Sequence, residues 1–211
     1  MICYNDIDKV QIGIAVKPMA LENLYQLSEE QCRRLPRQLS EAFFAHPLFC
    51  ASFPDETTRK ECIAFFMTHY LQMLKPYAMF LADSEEMNAV MVVYDSRRFE
   101  RKAYWQALLR MDLKLLYIVR LLGIRRSIRF AMDWDAFSKR WVRYFERNAY
   151  FHLELLYAKE EKKNTLVNVL GELIDEGDIM DMNISVKASD KESALWYERM
   201  GFVLMNTIVD E

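Results

Sequence analysis

With 211 residues, 52% of them hydrophobic and 28% charged, the chain suits a single globular domain, 1–211, long enough to bury a sizeable core. A net charge of −3 and a pI near 5.8 argue against a nucleic-acid module, and no uninterrupted apolar run approaches the roughly 20 residues that cross a bilayer. Four cysteines, Cys3, Cys32, Cys50 and Cys62, form no C-x-x-C pair, and His46, His69 and His152 are scattered. That usage predicts reduced thiols in the cytoplasm and no metal, and the early acidic residues Asp6 and Asp8 argue against a secretory leader.

Charge is unevenly spread. Residues 97–147 hold 14 Lys and Arg against 5 Asp and Glu, whereas residues 152–211 hold 6 against 13. Such asymmetry can attract anionic partners, but on alternating helix faces it reads first as solvated surface, so no nucleic acid and no membrane partner is expected.

In chain order, residues 10–16 (VQIGIAV) alternate apolar with small or polar residues and predict a first strand. Residues 23–35 and 37–44 carry apolar residues at helical spacing, with a break at Pro36 between two helices. A loop punctuated by Pro47 and Pro54 follows. Residues 56–75 form a helix with Ile63, Phe66, Met67, Tyr70, Leu71 and Leu74 on one side, stopped by Pro76. Residues 78–82 and 89–94, joined by a turn at 83–86, read as an antiparallel hairpin. Residues 97–148 are helical in period, two helices meeting near Gly123 and rich in aromatics from Tyr104 to Phe145. From Tyr150 the order is strand (150–157), helix (164–176, ended by Gly177), strand (181–187), helix (190–200) and strand (203–209). A β-α-β-α-β tail behind a hairpin predicts an α/β fold with a mixed central sheet and helices on both faces.

The last helix carries the strongest motif. Ser189 and Glu192 fit a capping box, Gly201 is placed to end the helix, and the segment between them reads Asp190-Lys191-Glu192-Ser193-Ala194-Leu195-Trp196-Tyr197-Glu198-Arg199-Met200-Gly201-Phe202. This resembles the closing helix of the GNAT superfamily of acyl-CoA-dependent N-acyltransferases, with Asp190 at an asparagine position and Ser193 at an alanine position. The order of elements is also similar to GNAT order. Residues 39–47, the Phe53-Pro54-Asp55 step and the helical insertion at about 97–148 resemble the puromycin N-acetyltransferase-like branch.

The resemblance implies a mostly antiparallel GNAT-like sheet and acetyl transfer from acetyl-CoA, as cosubstrate, to a primary amine of a small molecule or peptide. It leaves a homodimer open. Tyr197 is implied as the acid that reprotonates the CoA thiolate. Glu154, on the 150–157 strand, is the candidate base, since a strand carboxylate facing a cleft can take a proton from an ammonium through water. A backbone N–H of Leu156 or Tyr157, freed at a bulge, would polarise the thioester carbonyl. His152 reads as a satisfied strand histidine.

The family's pyrophosphate loop departs from pattern. Aligned without gaps, Lys162 stands at its basic position, and Thr165 and Val167 stand at its two glycine positions. Two readings stay open. In one, Lys162, Lys163, Asn164 and Thr165, with Leu166 and Val167 at the helix start and Asp190 at the last helix, hold the cofactor. In the other, the domain no longer binds CoA and acts as a binding or regulatory module.

Overall fold

The computed structural model describes residues 2–4, 20–98, 149–188 and 190–205, together with 100, 102, 106, 109, 119, 123–125, 127 and 130. The predicted strand at 10–16, the end of the strand at 203–209 and most of the aromatic insertion lie outside these residues. The chain divides into two compact units, one built from residues 1–26, 78–97 and 145–211, the other from 27–77 and 98–144.

The first unit is α/β, with a mixed, mostly antiparallel sheet. Its strands are β1 (Ile2–Tyr4), β2 (Tyr25–Gln26), β3 (Ala78–Ala82), β4 (Ala89–Asp95), β5 (Tyr150–Ala158), β6 (Asn183–Val186) and β7 (Phe202–Leu204). They lie in the order β2-β3-β4-β5-β6-β1-β7. Every neighbouring pair is antiparallel except β5 and β6. The hairpin β3–β4 falls where alternation of β-branched and aromatic residues places it. The pairing of Ile2–Tyr4 with both β6 and β7 joins segments about the whole chain apart, which no local pattern announces.

One face of this sheet is covered by the helix that follows β5, running Thr165–Met180. Val169, Leu170 and Leu173 from the helix bury with Ala89, Met91 and Val93 of β4, Phe151 and Leu153 of β5, and Ile184 and Val186 of β6. The helix runs past Gly177, the residue expected to end it, because that glycine is an internal contact point. A Cβ there would stand 2.7 Å from Ile184 Cδ1. The left-handed closure falls instead on Asp181 (φ 55°, ψ 43°), a residue type that tolerates this conformation better than most. The final helix, Lys191–Arg199, is closed by Gly201 at φ 94°, as its position in the motif predicts. Its N-cap is Asp190 rather than Ser189: the Asp190 carboxylate accepts from Ser193 N–H at 2.7 Å and from Ser193 Oγ–H at 3.0 Å.

The second unit contains α1 (Glu29–Ala42), α2 (Pro47–Ser52) and α3 (Glu56–Leu74), after which the two tail helices are α4 (Thr165–Met180) and α5 (Lys191–Arg199). Helix α1 differs from expectation at both ends. Residues 20–26 form a 3-10 turn and strand β2, and the helix starts after a capping box in which Gln31 N–H donates to Ser28 Oγ at 3.3 Å and Ser28 N–H to Gln31 Oε1 at 2.8 Å. It then continues through Pro36. An interior proline costs about 3 kcal/mol, here offset by burial of Leu35, Pro36 and Leu39 along one stripe. The loop expected between Pro47 and Pro54 holds the short α2, with Pro47 in its first turn and His46 Nδ1 capping Leu48 N–H at 3.3 Å.

Helix α3 buries Ile63, Phe66, Met67, Tyr70, Leu71 and Leu74, the side predicted for it. Phe49, Phe53, Phe66 and Phe130 gather in one aromatic cluster with centroids 4.9 to 6.3 Å apart. Arg59, buried beside them, donates to the carbonyl oxygens of Phe53 at 2.7 Å and Pro54 at 3.0 Å and so fixes the turn into α3. Helical residues flank Gly123, which takes φ 80° and donates to Val119 O at 2.9 Å, the junction expected between two helices. Among the described residues, no helix is long and apolar enough to cross a membrane.

Candidate functional site

The parallel pair β5/β6 is in register from Tyr150 opposite Asn183 to Leu153 opposite Val186, and there it ends. Strand β5 continues to Ala158, paired on its other edge with β4. The two strands therefore part at Leu153/Val186 and leave one edge of β5 open among the described residues. At the same point the β4–β5 ladder slips. Val92 faces Leu155 whereas Val93 faces Leu153, so Glu154 is the extra residue of a bulge on β5.

The bulge decides which groups face where. Before it, Phe151 and Leu153 belong to the core under α4; after it, Leu156 and Ala158 pack on that side. His152 lies on the opposite face with Glu154, its Nε2 3.5 Å from Glu154 Oε2. Register puts Ser185 beside His152, and the Ser185 hydroxyl is 2.8 Å from His152 Nδ1. Lys187, two residues beyond Ser185 and the first after the end of β6, completes the strip. His152, Glu154, Ser185 and Lys187 thus form one polar cluster where the strands diverge. His152 and Ser185 are buried and Lys187 is half-buried.

Electrostatics in the cluster follow from its dryness. Loss of hydration, partly opposed by the Glu154 carboxylate, drives the His152 imidazole down to about 3, so the ring is neutral near pH 7. Loss of hydration also lowers the Lys187 ammonium from its ordinary range, again partly opposed by Glu154. An amine whose charged form is disfavoured by loss of hydration gives up its proton more readily than a surface lysine does.

Backbone groups on the open edge are selected by the ladder. Lys159 N–H donates to Asn88 O at 2.8 Å, and Asp83 N–H takes the carbonyl of Ala89 at 3.0 Å. Alternation then turns Val90 toward its partner Tyr157. The Tyr157 N–H is committed to β4, and the Leu156 N–H points to the side that β6 has left. Of the two candidates for polarising a carbonyl, the register favours Leu156.

The β5–α4 connection contains no left-handed residue: among the described residues, positive φ occurs only at Met87, Gly123, Asp181 and Gly201. A 3-10 turn at Glu160–Lys162 runs into α4 through Lys163 (φ −54°, ψ −32°) and Asn164 (φ −62°, ψ −24°). Thr165 therefore carries no conformational strain. Leu166 packs on the core, Thr165 is half-buried and Val167 is exposed. Helix α4 begins at Thr165, and the first N–H groups of a helix have no intrahelical acceptor, which is the polarity that holds an anion at a helix start. Of the lysines, Lys159 ties the turn to Glu86 O at 2.9 Å and Asn88 Oδ1 at 3.1 Å, and Lys163 pairs with Glu160 at 2.6 Å. Lys162 is exposed.

Tyr197 stands in the core on the α4 side, edge-on to Trp196 (5.0 Å) and Phe202 (5.5 Å). Its hydroxyl makes no hydrogen bond to another described residue, and burial pushes its pKa up, keeping the proton in place at neutral pH. Asp190 is occupied with capping α5. The structure thus brings Glu154 together with His152, sets the Leu156 N–H on the open edge beyond the bulge, and keeps Tyr197 in the packed core. Ser185 and Lys187 escaped the sequence reading because a short buried strand, NISV, carries no motif. Their alternation with the core residues Ile184 and Val186 was the available signal.

Compared with known proteins, the chain matches no protein-family model and none of the curated proteins.

Proposed function

We propose that this chain is an acyl-CoA-dependent N-acyltransferase of the GNAT kind, transferring acetyl from acetyl-CoA to a primary amine of a small molecule or peptide. The observation that carries the reading is the parting of parallel β5 and β6 at the Glu154 bulge, with the Leu156 N–H on the open edge beyond it. A thioester lying in that opening would have its carbonyl polarised by Leu156 N–H. Glu154 takes the proton of the incoming ammonium, directly or through water. The neutral amine attacks the carbonyl carbon, the C–S bond breaks, the leaving thiolate takes the phenolic proton of Tyr197, and the proton that the nitrogen sheds on becoming an amide restores the phenol. The start of α4, from Lys162 and Lys163 through Asn164, Thr165, Leu166 and Val167, would hold the pyrophosphate, and Asp190 would fix the helix that carries Tyr197.

Calorimetric titration with acetyl-CoA tests the reading. Binding in the micromolar to high-micromolar range that weakens with salt supports it. No heat and no thermal shift at millimolar acetyl-CoA overturns it. That result favours the second reading, a binding or regulatory module, for which the observation is that Lys159 and Lys163 are already engaged within the protein.

A further inference from the structure

Lys187 stands one residue past the end of β6, where the β5/β6 opening begins. Leu153 and Val186 are the last residues paired between β5 and β6, so Glu154 and Lys187 are the next residue on each strand, flanking the opening. Ile184 and Val186 face the core under α4, which turns Ser185 and Lys187 to the other face, the one that carries His152 and Glu154. Behind this pair the wall is closed. Ser185 Oγ lies 2.8 Å from His152 Nδ1, and Ser185 Oγ–H reaches Phe151 O at 3.4 Å. At the surface, Lys60 pairs with Glu41 at 2.7 Å, Lys75 with Glu29, and Lys163 with Glu160 at 2.6 Å.

We propose that Lys187 is an internal acyl acceptor, taking the acyl group from a bound thioester to become an N-acyl-lysine at the mouth of the β5/β6 opening. The inference rests on the acyltransferase reading above. In the step, Glu154 removes one proton from the Lys187 ammonium and the freed nitrogen attacks the thioester carbonyl. An amide C–N bond forms, the C–S bond breaks, the thiolate leaves with a proton from Tyr197 or water, and the second proton that the nitrogen sheds on becoming an amide returns to that donor. Nothing is oxidised or reduced. Burial supports the step, since it disfavours the charged form of this amine. The product amide is neutral, so the modification releases Glu154 from a cationic neighbour and leaves it available to an external amine.

The full chain is incubated with acetyl-CoA and, separately, with a truncated acetyl thioester that lacks the pyrophosphate, and acetylation is followed by intact mass and peptide mapping. The expected result is one acetyl group placed on Lys187 ahead of Lys60, Lys75 and Lys191. It is lost in Lys187→Arg and slowed roughly 100-fold in Glu154→Gln, while the surface lysines react as before. Far-ultraviolet dichroism checks that both variants fold. If acetyl-CoA binds by calorimetry but Lys187 stays unmodified, or lysines react in order of exposure, the inference falls and the acyltransferase reading stands. If acetyl-CoA does not bind and the truncated thioester also spares Lys187, both fall. If the truncated thioester alone acetylates Lys187 selectively, the inference holds and the failure lies in the pyrophosphate site.

Discussion

Gly177→Ala and Gly171→Ala place the same change in one helix with opposite expected signs. In an unobstructed helix interior, alanine is favoured over glycine by about 1 kcal/mol. At Gly171 no atom lies within 4 Å of an added Cβ, so that gain should appear in full. At Gly177 the added Cβ would sit 2.7 Å from Ile184 Cδ1, 3.0 Å from Ile184 Cγ1 and 3.1 Å from the Met182 carbonyl. Ile184 is fully buried and the carbonyl is backbone, so neither can simply turn away. Overpacking of this kind costs about 1–3 kcal/mol, which cancels the helix gain and leaves the variant destabilised by up to about 2 kcal/mol. The two variants should then differ by about 1–3 kcal/mol, or several degrees in Tm at roughly 2–4 °C per kcal/mol for a chain of this size. Urea denaturation of both variants measures it. A Gly177→Ala protein as stable as Gly171→Ala would mean that α4 does not press on β6 there, and the placement of β6 that defines the opening beside Glu154 would be wrong.

Tyr197→Phe keeps both ring contacts and deletes only the hydroxyl; it should slow turnover roughly 10- to 1000-fold with little change in acetyl-CoA affinity. Thiol release across a panel of polyamines, aromatic amines and aminoacyl compounds reads this, and an unchanged rate would make Tyr197 a packing residue. Lys162→Ala with Lys163→Ala should weaken acetyl-CoA binding by about 1–3 kcal/mol, and because Lys163 is paired with Glu160, Lys162→Ala alone should account for most of it; calorimetry at two salt concentrations decides. His152 is held neutral at about 3 against an ordinary 6.5, so the unfolded chain binds a proton that the folded one refuses. Stability should be intact above pH 6.5 and fall between about 6.5 and 3, by up to about 1.4 kcal/mol per pH unit. His152→Gln should flatten that slope in urea midpoints measured across the range, and an unchanged slope would mean that the ring is not buried neutral.

Elements built on one local period were legible in the sequence. Helix α3, the β3–β4 hairpin and strand β5 fall where apolar spacing puts them, and Gly201 ends α5 as its place in the motif requires. What was not legible depends on groups distant in the chain or on competition between neighbours. Pro36 reads as a break because its cost is local, whereas the burial that outweighs it comes from the fold. Gly177 reads as a terminus because glycine commonly ends helices, whereas its use here is to let Ile184 approach. Ser189 and Asp190 both offer a capping oxygen, and only the observed hydrogen bonds to Ser193 decide between them.

The candidate site divides in the same way. Glu154 and Tyr197 were readable as residue types in suitable positions. That Glu154 is the bulged residue, and that Ser185 and Lys187 stand with it, follows from strand register, which is a property of two segments together. The same distinction bears on the missing loop glycines. Glycine serves a phosphate loop in two ways, by taking positive φ and by letting the ligand come close to the backbone. The first is not called for here, since Lys163 and Asn164 enter α4 in ordinary right-handed conformations. Only the second remains, and it depends on side chains rather than strain: Leu166 turns to the core, Val167 lies exposed, and Thr165, half-buried, brings a hydroxyl that can itself donate to an anion. Pyrophosphate binding here therefore turns on how closely the ligand can approach the N-terminal backbone of α4 past one threonine, and the absence of glycine does not by itself answer it.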